Sequence, residues 1–298
     1  MRNHKIEDKL REILQDKTSG ASILSQKLIE VIKTKSLQTK SEKEFSTFLK
    51  KLQNDLKDNH PLLFQLHNVV YLIQKSLKSG GIKVALTEIE KIEQGLNISI
   101  QKITENFLKW LNLKSIKKFS TATLSYSGTV LNVLKNVRSK IHKVYIFRSC
   151  PNCEGETMAE KLAENGINVY LVNDFAIDYV LNNVDFVLSG CDAIFEDGKI
   201  LNKAGTSSVF KLAKLSDKDT IVLADFLKIT HLKFDYKKLA RNAFTIKRKE
   251  KLTNLDLIFE LVSAEFISNY ITDFGIFTNQ NLNSNEIIHP TSKMFGLR

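Results

Sequence analysis

Beyond Lys117 the chain settles into one rhythm, in which short apolar runs alternate with stretches of helical period. Phe119–Leu124 is followed by a helix from Gly128 to Val137, Lys143–Phe147 by Glu156 to Asn165, and Asn168–Val172 by Phe175 to Leu181. Asp185–Leu188 leads through a turn to a helix from Ser207 to Leu215, and Thr220–Ala224 closes the series. Runs this short suit buried strands, and strands alternating with helices specify parallel βαβ units. The expected class is α/β, with a doubly wound parallel sheet. Ligands of such open sheets bind outside the carboxyl ends of the strands.

One stretch dominates those strand ends, VDFVLSGCDAIFEDGKILNKAGT at 184–206. Its apolar run breaks at Ser189-Gly190, with Cys191 and Asp192 at the break. Asp197-Gly198 between apolar flanks is a hairpin signal. Asn202-Lys203-Ala204-Gly205-Thr206 then opens the next helix, so an acid at a strand end and a Gly-Thr at a helix start face one rim. Gly20, Gly128, Gly155 and Gly205 each precede or open a helical run. Free N–H groups and the helix dipole suit an anion there, although glycine before a helix also serves plain turn chemistry.

Residues 1–113 carry helical stripes and no strand-like alternation. Ser41 with Glu44 has capping-box spacing ahead of Phe45, Phe48, Leu49 and Leu52. Pro61 suits the first turn of a helix running to about Leu77. Gly80-Gly81 breaks that helix, and a long stripe follows from Ile82 to Leu113, anchored by Trp110. The change of texture places a helical domain at 1–115 and the α/β domain at 116–298. At the far end, Phe259-Glu260-Leu261-Val262 precedes a helix-like Ala264–Ile271 and a loop from Gly275 onward.

Composition narrows the function classes. The N-terminus, MRNHKIEDKLREI, is too charged for a secretory signal, and no apolar run reaches membrane-spanning length, so a cytoplasmic protein away from membranes is expected. The net charge of +11 comes from lysines spread along the chain rather than clustered, and direct nucleic-acid binding is not expected. No GxGxxG or P-loop is present, so no cofactor is expected, and the six histidines lack metal-site spacing. Cys150-Pro151-Asn152-Cys153 is a CxxC between a strand and a helix, a context that lowers a thiol pKa. Cys191, at a neighbouring strand end, is the candidate third sulfur of a thiol or zinc site.

The run Gly190-Cys191-Asp192-Ala193-Ile194, then Asp197-Gly198, then Asn202-Lys203-Ala204-Gly205-Thr206 resembles the G-A-D-x-I … N-G … N-K-x-G-T signature of one family. That family unites the alpha, beta and delta subunits of eukaryotic translation initiation factor 2B with methylthioribose-1-phosphate isomerase and ribose-1,5-bisphosphate isomerase. Other blocks agree in order. Ser19-Gly20-Ala21 matches an N-terminal glycine loop, and Thr123–Gly128 matches T-H-C/S-x-S. Pro151 and Gly155 match S-R-P-x-x-x-G, Asp174 matches an acid after the third strand, and Phe259–Val262 with Ile271–Gly275 matches the closing segment. The resemblance implies a helical N-terminal domain followed by a Rossmann-like domain, and a homodimer formed through the latter.

It also implies a site. Gly20, Ser125, Ser127, Gly128, Asp192, Asn202, Lys203 and Gly205 are the ligand-binding candidates, and Asp192 is the catalytic one if the protein is active. The isomerases move a proton between adjacent sugar carbons, using a cysteine of the T-H-C block with the aspartate of G-A-D. Here Ser125 stands at the cysteine, Leu124 at the histidine, Cys150 at the arginine of S-R-P and Ser19 at an arginine of the first loop. Losing a thiol and two arginines removes proton chemistry and bidentate phosphate contacts together. The first expectation is thus a non-catalytic, regulatory-subunit-like protein that binds a sugar phosphate or nucleotide and partners other initiation-factor subunits. An aldose–ketose isomerase with a rearranged site is the second, and a thiol redox or zinc-binding protein the third.

Overall fold

The computed structural model describes residues 2–16, 19–232, 244–249 and 252–278. The chain forms two compact units, Met1–Ile98 and Ser99–Arg298. The first is helical: α1 (Arg2–Gln15), α2 (Ala21–Gln38), α3 (Glu42–Asn59) and the leading part of α4 (Phe64–Leu113). Ser41 caps α3 by accepting from the Glu44 amide, and the Glu44 carboxylate reaches back to the Lys40 amide. Leu24, Leu28, Ile32, Phe45, Leu49 and Leu52 are buried, one apolar stripe from each of two helices. Pro61 is not in a helical first turn. The backbone turns through His60–Leu63, where the Leu63 amide donates to the His60 carbonyl, and α4 starts at Phe64. Gly80 and Gly81 depart from helical geometry inside α4, with Gly81 at a left-handed φ of 73°. The two units divide within α4, ahead of the textural change near residue 115. The reason is packing: Ile103, Phe107, Trp110 and Leu111 already belong to the core of the second unit.

That unit is built on a seven-stranded sheet. In chain order its elements are β1 (Phe119–Leu124), α5 (Gly128–Asn136), β2 (Ile141–Phe147), α6 (Glu154–Glu164), β3 (Val169–Val172), α7 (Ile177–Leu181) and β4 (Phe186–Ser189). There follow β5 (Ala193–Ile194), β6 (Ile200–Lys203), α8 (Thr206–Leu215), β7 (Asp219–Ala224), β8 (Phe244–Lys249), β9 (Leu252–Asp256), β10 (Phe259–Val262), β11 (Asn269–Thr272) and β12 (Gly275–Phe277). The large sheet runs β12-β11-β7-β4-β1-β2-β3, parallel except for β12. A small antiparallel sheet runs β10-β6-β5, and β8 pairs with β9. The fold class is α/β, as the alternation requires.

Neighbouring residues of each central strand enter opposite cores. Val144 and Ile146 face one cluster and Tyr145 and Phe147 the other; Leu188 opposes Val187, and Ile221 and Leu223 oppose Val222 and Ala224. A sheet covered on both faces gives continuous apolar runs rather than alternation, which is why these strands read so clearly. The same fact explains the correction at the far end. Ala264–Ile271 is not a helix: a short 3-10 turn at Ala264–Phe266 gives way to β11, which pairs in parallel with β7. Tyr270 and Ile271 are fully buried on opposite faces, so their adjacency mimics a helical stripe. The expected loop at Gly275 is β12, and residues from 279 onward lie outside the described residues.

From β1 the chain proceeds outward through β2 to β3, then returns to lay β4 on the other side of β1. The strand order therefore reverses between β1 and β4, which puts the crevice at their carboxyl ends.

Candidate functional site

Two loops meet at this switch point. β1 ends in Leu124-Ser125-Tyr126-Ser127 and β4 in Ser189-Gly190-Cys191-Asp192. They touch so closely that a Cβ on Gly190 would lie 2.3 Å from Ser127 Oγ. Glycine at 190 is thus a packing requirement. Ser127 caps α5, accepting from the Val130 amide at 3.3 Å. Beside it Gly128 opens α5, and a Cβ there would meet nothing within 4 Å. Ser125 is held in the left-handed region, φ 58°, with its amide donating to Ser149 Oγ at 2.7 Å.

The β2–α6 loop forms the next wall. Asp174, after β3, accepts from the Ser149 amide at 2.6 Å and the Cys150 amide at 2.9 Å. One carboxylate thus fixes the start of the loop through two charge-assisted bonds. Cys150 and Cys153 are joined by a disulfide across the exposed Pro151-Asn152. Gly155 then packs where a Cβ would lie 2.0 Å from the Phe147 carbonyl oxygen. Glu154, between Cys153 and Gly155, meets Lys203 Nζ through Oε1 at 2.5 Å.

Lys203 ends β6 and is buried along with Asn202. The ion-pair partner of Lys203 is Glu154. Asp192 feels two of the cations. Burial pushes its carboxyl up from the ordinary range, while Lys228 and then Lys203 pull it down. Lys228, in the 3-10 turn Phe226–Lys228 after β7, is itself buried and acts on Cys191 and Asp225 as well. Two buried ammonium groups acting on one half-buried acid are an arrangement that can accept an anion.

Not every candidate of the second unit belongs to this set. The Asn202 amide nitrogen donates to Ser189 Oγ at 2.8 Å and Thr206 Oγ1 at 2.9 Å, so it braces the rim from inside. Gly205 caps α8 at φ 101°, but the adjoining Ser207 amide already donates to the Glu260 carboxylate at 2.7 Å. The protein's own acid occupies that helix terminus. Gly20 lies in the first unit ahead of α2, where a Cβ would meet open space. Cys191 is not the third sulfur of a cluster. It is buried in an apolar core, its thiol is pushed up to about 12 by burial, and no metal-competent group of acids, cysteines and histidines occurs among the described residues.

Sequence reasoning passed over Glu154, Lys228 and Ser149. Glu154 was masked as one of the three variable slots before Gly155. Lys228 had a usable signal: Ala224-Asp225 ends an apolar run, which is the pattern that singled out Asp192.

Residues 17–279 match the sequence profile of the initiation factor 2 subunit family. The chain belongs to that family. It is 26% identical over 292 residues to a ribose 1,5-bisphosphate isomerase of Methanocaldococcus jannaschii, covering 92% of each chain. It is 29% identical over 165 residues to translation initiation factor eIF2B subunit alpha of Caenorhabditis elegans, covering 51% of this chain and 52% of that one. The crystal structure of the translation initiation factor eIF-2B of Pyrococcus horikoshii superimposes with a TM-score of 0.76 at 19% identity, covering 95% of this chain and 98% of that one. Membership in the initiation factor 2 subunit family therefore spans an isomerase and a translation factor, and the choice between them rests on the site.

Proposed function

We propose that this protein is a non-isomerising member of its family that binds a small phosphorylated ligand, a sugar phosphate in the first instance, at the β1–β4 rim. The observation that carries the reading is the pairing of a retained acid with a missing thiol. Asp192 stands beside Lys203 and Lys228, while Ser125 occupies the place of the family's cysteine with no histidine among its hydrogen-bond partners. A serine without a base does not exchange protons readily near neutral pH. Cys150 cannot substitute while it is tied to Cys153.

In this reading Lys203 and Lys228 meet the phosphate, and α5 presents its open N-terminus at Gly128. The Lys203–Glu154 pair must open, because a phosphate competes with the carboxylate for the same ammonium. Calorimetry with ribose 1,5-bisphosphate as the probe tests this. Saturable binding weakened about tenfold or more by Lys203→Ala is expected, since a charge-assisted bond contributes about 1.5–3 kcal/mol. Equal affinity in wild type and variant would remove the site.

One observation favours the second reading, a rearranged isomerase: Glu154 acts electrostatically on Asp192, so two carboxylates lie within reach of each other's charge. Self-association is part of the same proposal. Tyr170 of the edge strand β3 and Phe175 and Tyr179 beyond it are 52%, 96% and 62% exposed, an aromatic face suited to a second copy or a related subunit.

A further inference from the structure

The CxxC is unexplained by phosphate binding, and its position is specific. Cys150 is exposed and Cys153 half-buried, directly before α6. The residue that follows Cys153 is Glu154, the acid that holds Lys203. The start of the same loop is fixed by Asp174 through the Ser149 and Cys150 amides. The cross-link therefore ties Glu154 to a rigid anchor within four residues. Ser149 and Cys153 both have left-handed backbone, φ 60° and 54°, a conformation that non-glycine residues leave readily when released.

We infer that Cys150–Cys153 is a reversible dithiol–disulfide pair, exchanging with low-molecular-weight thiols, that sets whether Lys203 is available to an anion. The second half of this inference rests on the phosphate reading above; the first does not. In the exchange, a thiolate of the external thiol attacks the exposed Cys150 sulfur. The Cys150–Cys153 bond breaks and the Cys153 thiolate leaves, favoured by its place at the N-terminus of α6. The acids of that first turn oppose this little, because Lys203 holds Glu154 and Arg148 holds Glu156. A second external thiolate then attacks the mixed disulfide, freeing Cys150 and forming the external disulfide. Two electrons and two protons pass to the protein. With the tie cut, Cys153 relaxes, Glu154 moves off, and Lys203 faces the rim uncompensated.

Two measurements test this on the full-length protein. The first equilibrates it in a series of glutathione redox buffers, quenches with an alkylating agent and weighs it intact. A single reversible transition between zero and two alkylated thiols, with Cys191 alkylated only after denaturation, is expected. Two alkylated thiols at every ratio, or a disulfide reducible only on unfolding, would overturn the exchange. The second measures the affinity for inorganic phosphate in oxidised and reduced protein and in the Cys150→Ser/Cys153→Ser variant. Binding about tenfold tighter in the reduced protein and in the variant is expected, on the scale of one released charge-assisted contact. Equal binding, or tighter binding when oxidised, would overturn the control of Lys203. No binding in any form would overturn both that control and the phosphate site, and the thiol titration separates this result from a failure of the exchange itself.

Discussion

Two carboxyl ends of one sheet each hold a buried acid, and they are not alike. Asp192, after β4, is half-buried, lies near Lys203 and Lys228, and follows Gly190, which packs on the Ser127 cap of α5. Asp273, after β11, is sealed, and neither of its oxygens has a hydrogen-bond partner of normal geometry. Burial and then the neighbouring Asp225 push its carboxyl up to about 7, against an ordinary value of 3.8. A raised acid alone is therefore no guide to function. What distinguishes Asp192 is the company of cations.

The largest expected effect sharpens this contrast. Asp273 keeps its proton in the folded state to about pH 7, whereas the unfolded chain releases it near the ordinary value. Its contribution to stability is complete in acid and drains away as pH rises from about 4 to about 7, by up to about 4 kcal/mol. Asp273→Asn should flatten that slope and raise Tm above pH 7. Denaturant melts across pH measure it. A slope unchanged in the variant would mean that Asp273 is not the group that sets it.

The glycines give the next largest effect. Gly155→Ala drives a Cβ into the Phe147 carbonyl and should cost about 3 kcal/mol. Gly128→Ala, at the open floor, should change stability by less than about 0.5 kcal/mol. Chemical denaturation of both variants reads the difference; a costly Gly128→Ala would mean that the floor is filled. Ser127→Ala removes the α5 cap and should cost about 1 kcal/mol in the same assay. At the small end, Lys199→Ala breaks an exposed pair with Asp197 on the hairpin and should cost under about 0.5 kcal/mol. A larger loss there would give the hairpin a role in the fold that its exposure does not suggest.

The sequence revealed most where one physical pattern decides the outcome. The doubly covered sheet made β1, β2, β4 and β7 legible as apolar runs, and Asp197-Gly198 marked the β5–β6 hairpin. Asp192 and Lys203 were legible as strand-end residues of a motif. What escaped was whatever depends on long-range pairing. Tyr270-Ile271 became a strand because β7 offered a free edge, not because of local period. Lys203 found Glu154, which is 49 residues away, and the α8 terminus found Glu260, carried on the neighbouring strand β10. No local spacing encodes such partners.

The central claim is that the rim keeps an anion-binding acid and lysines without the groups that move a proton between sugar carbons. Phosphorus NMR of ribose 1,5-bisphosphate incubated with reduced, full-length protein tests it most directly. The account predicts saturable broadening of the phosphate signals and no conversion to a ketose bisphosphate. Conversion that disappears in Asp192→Asn would contradict it and make the protein an isomerase.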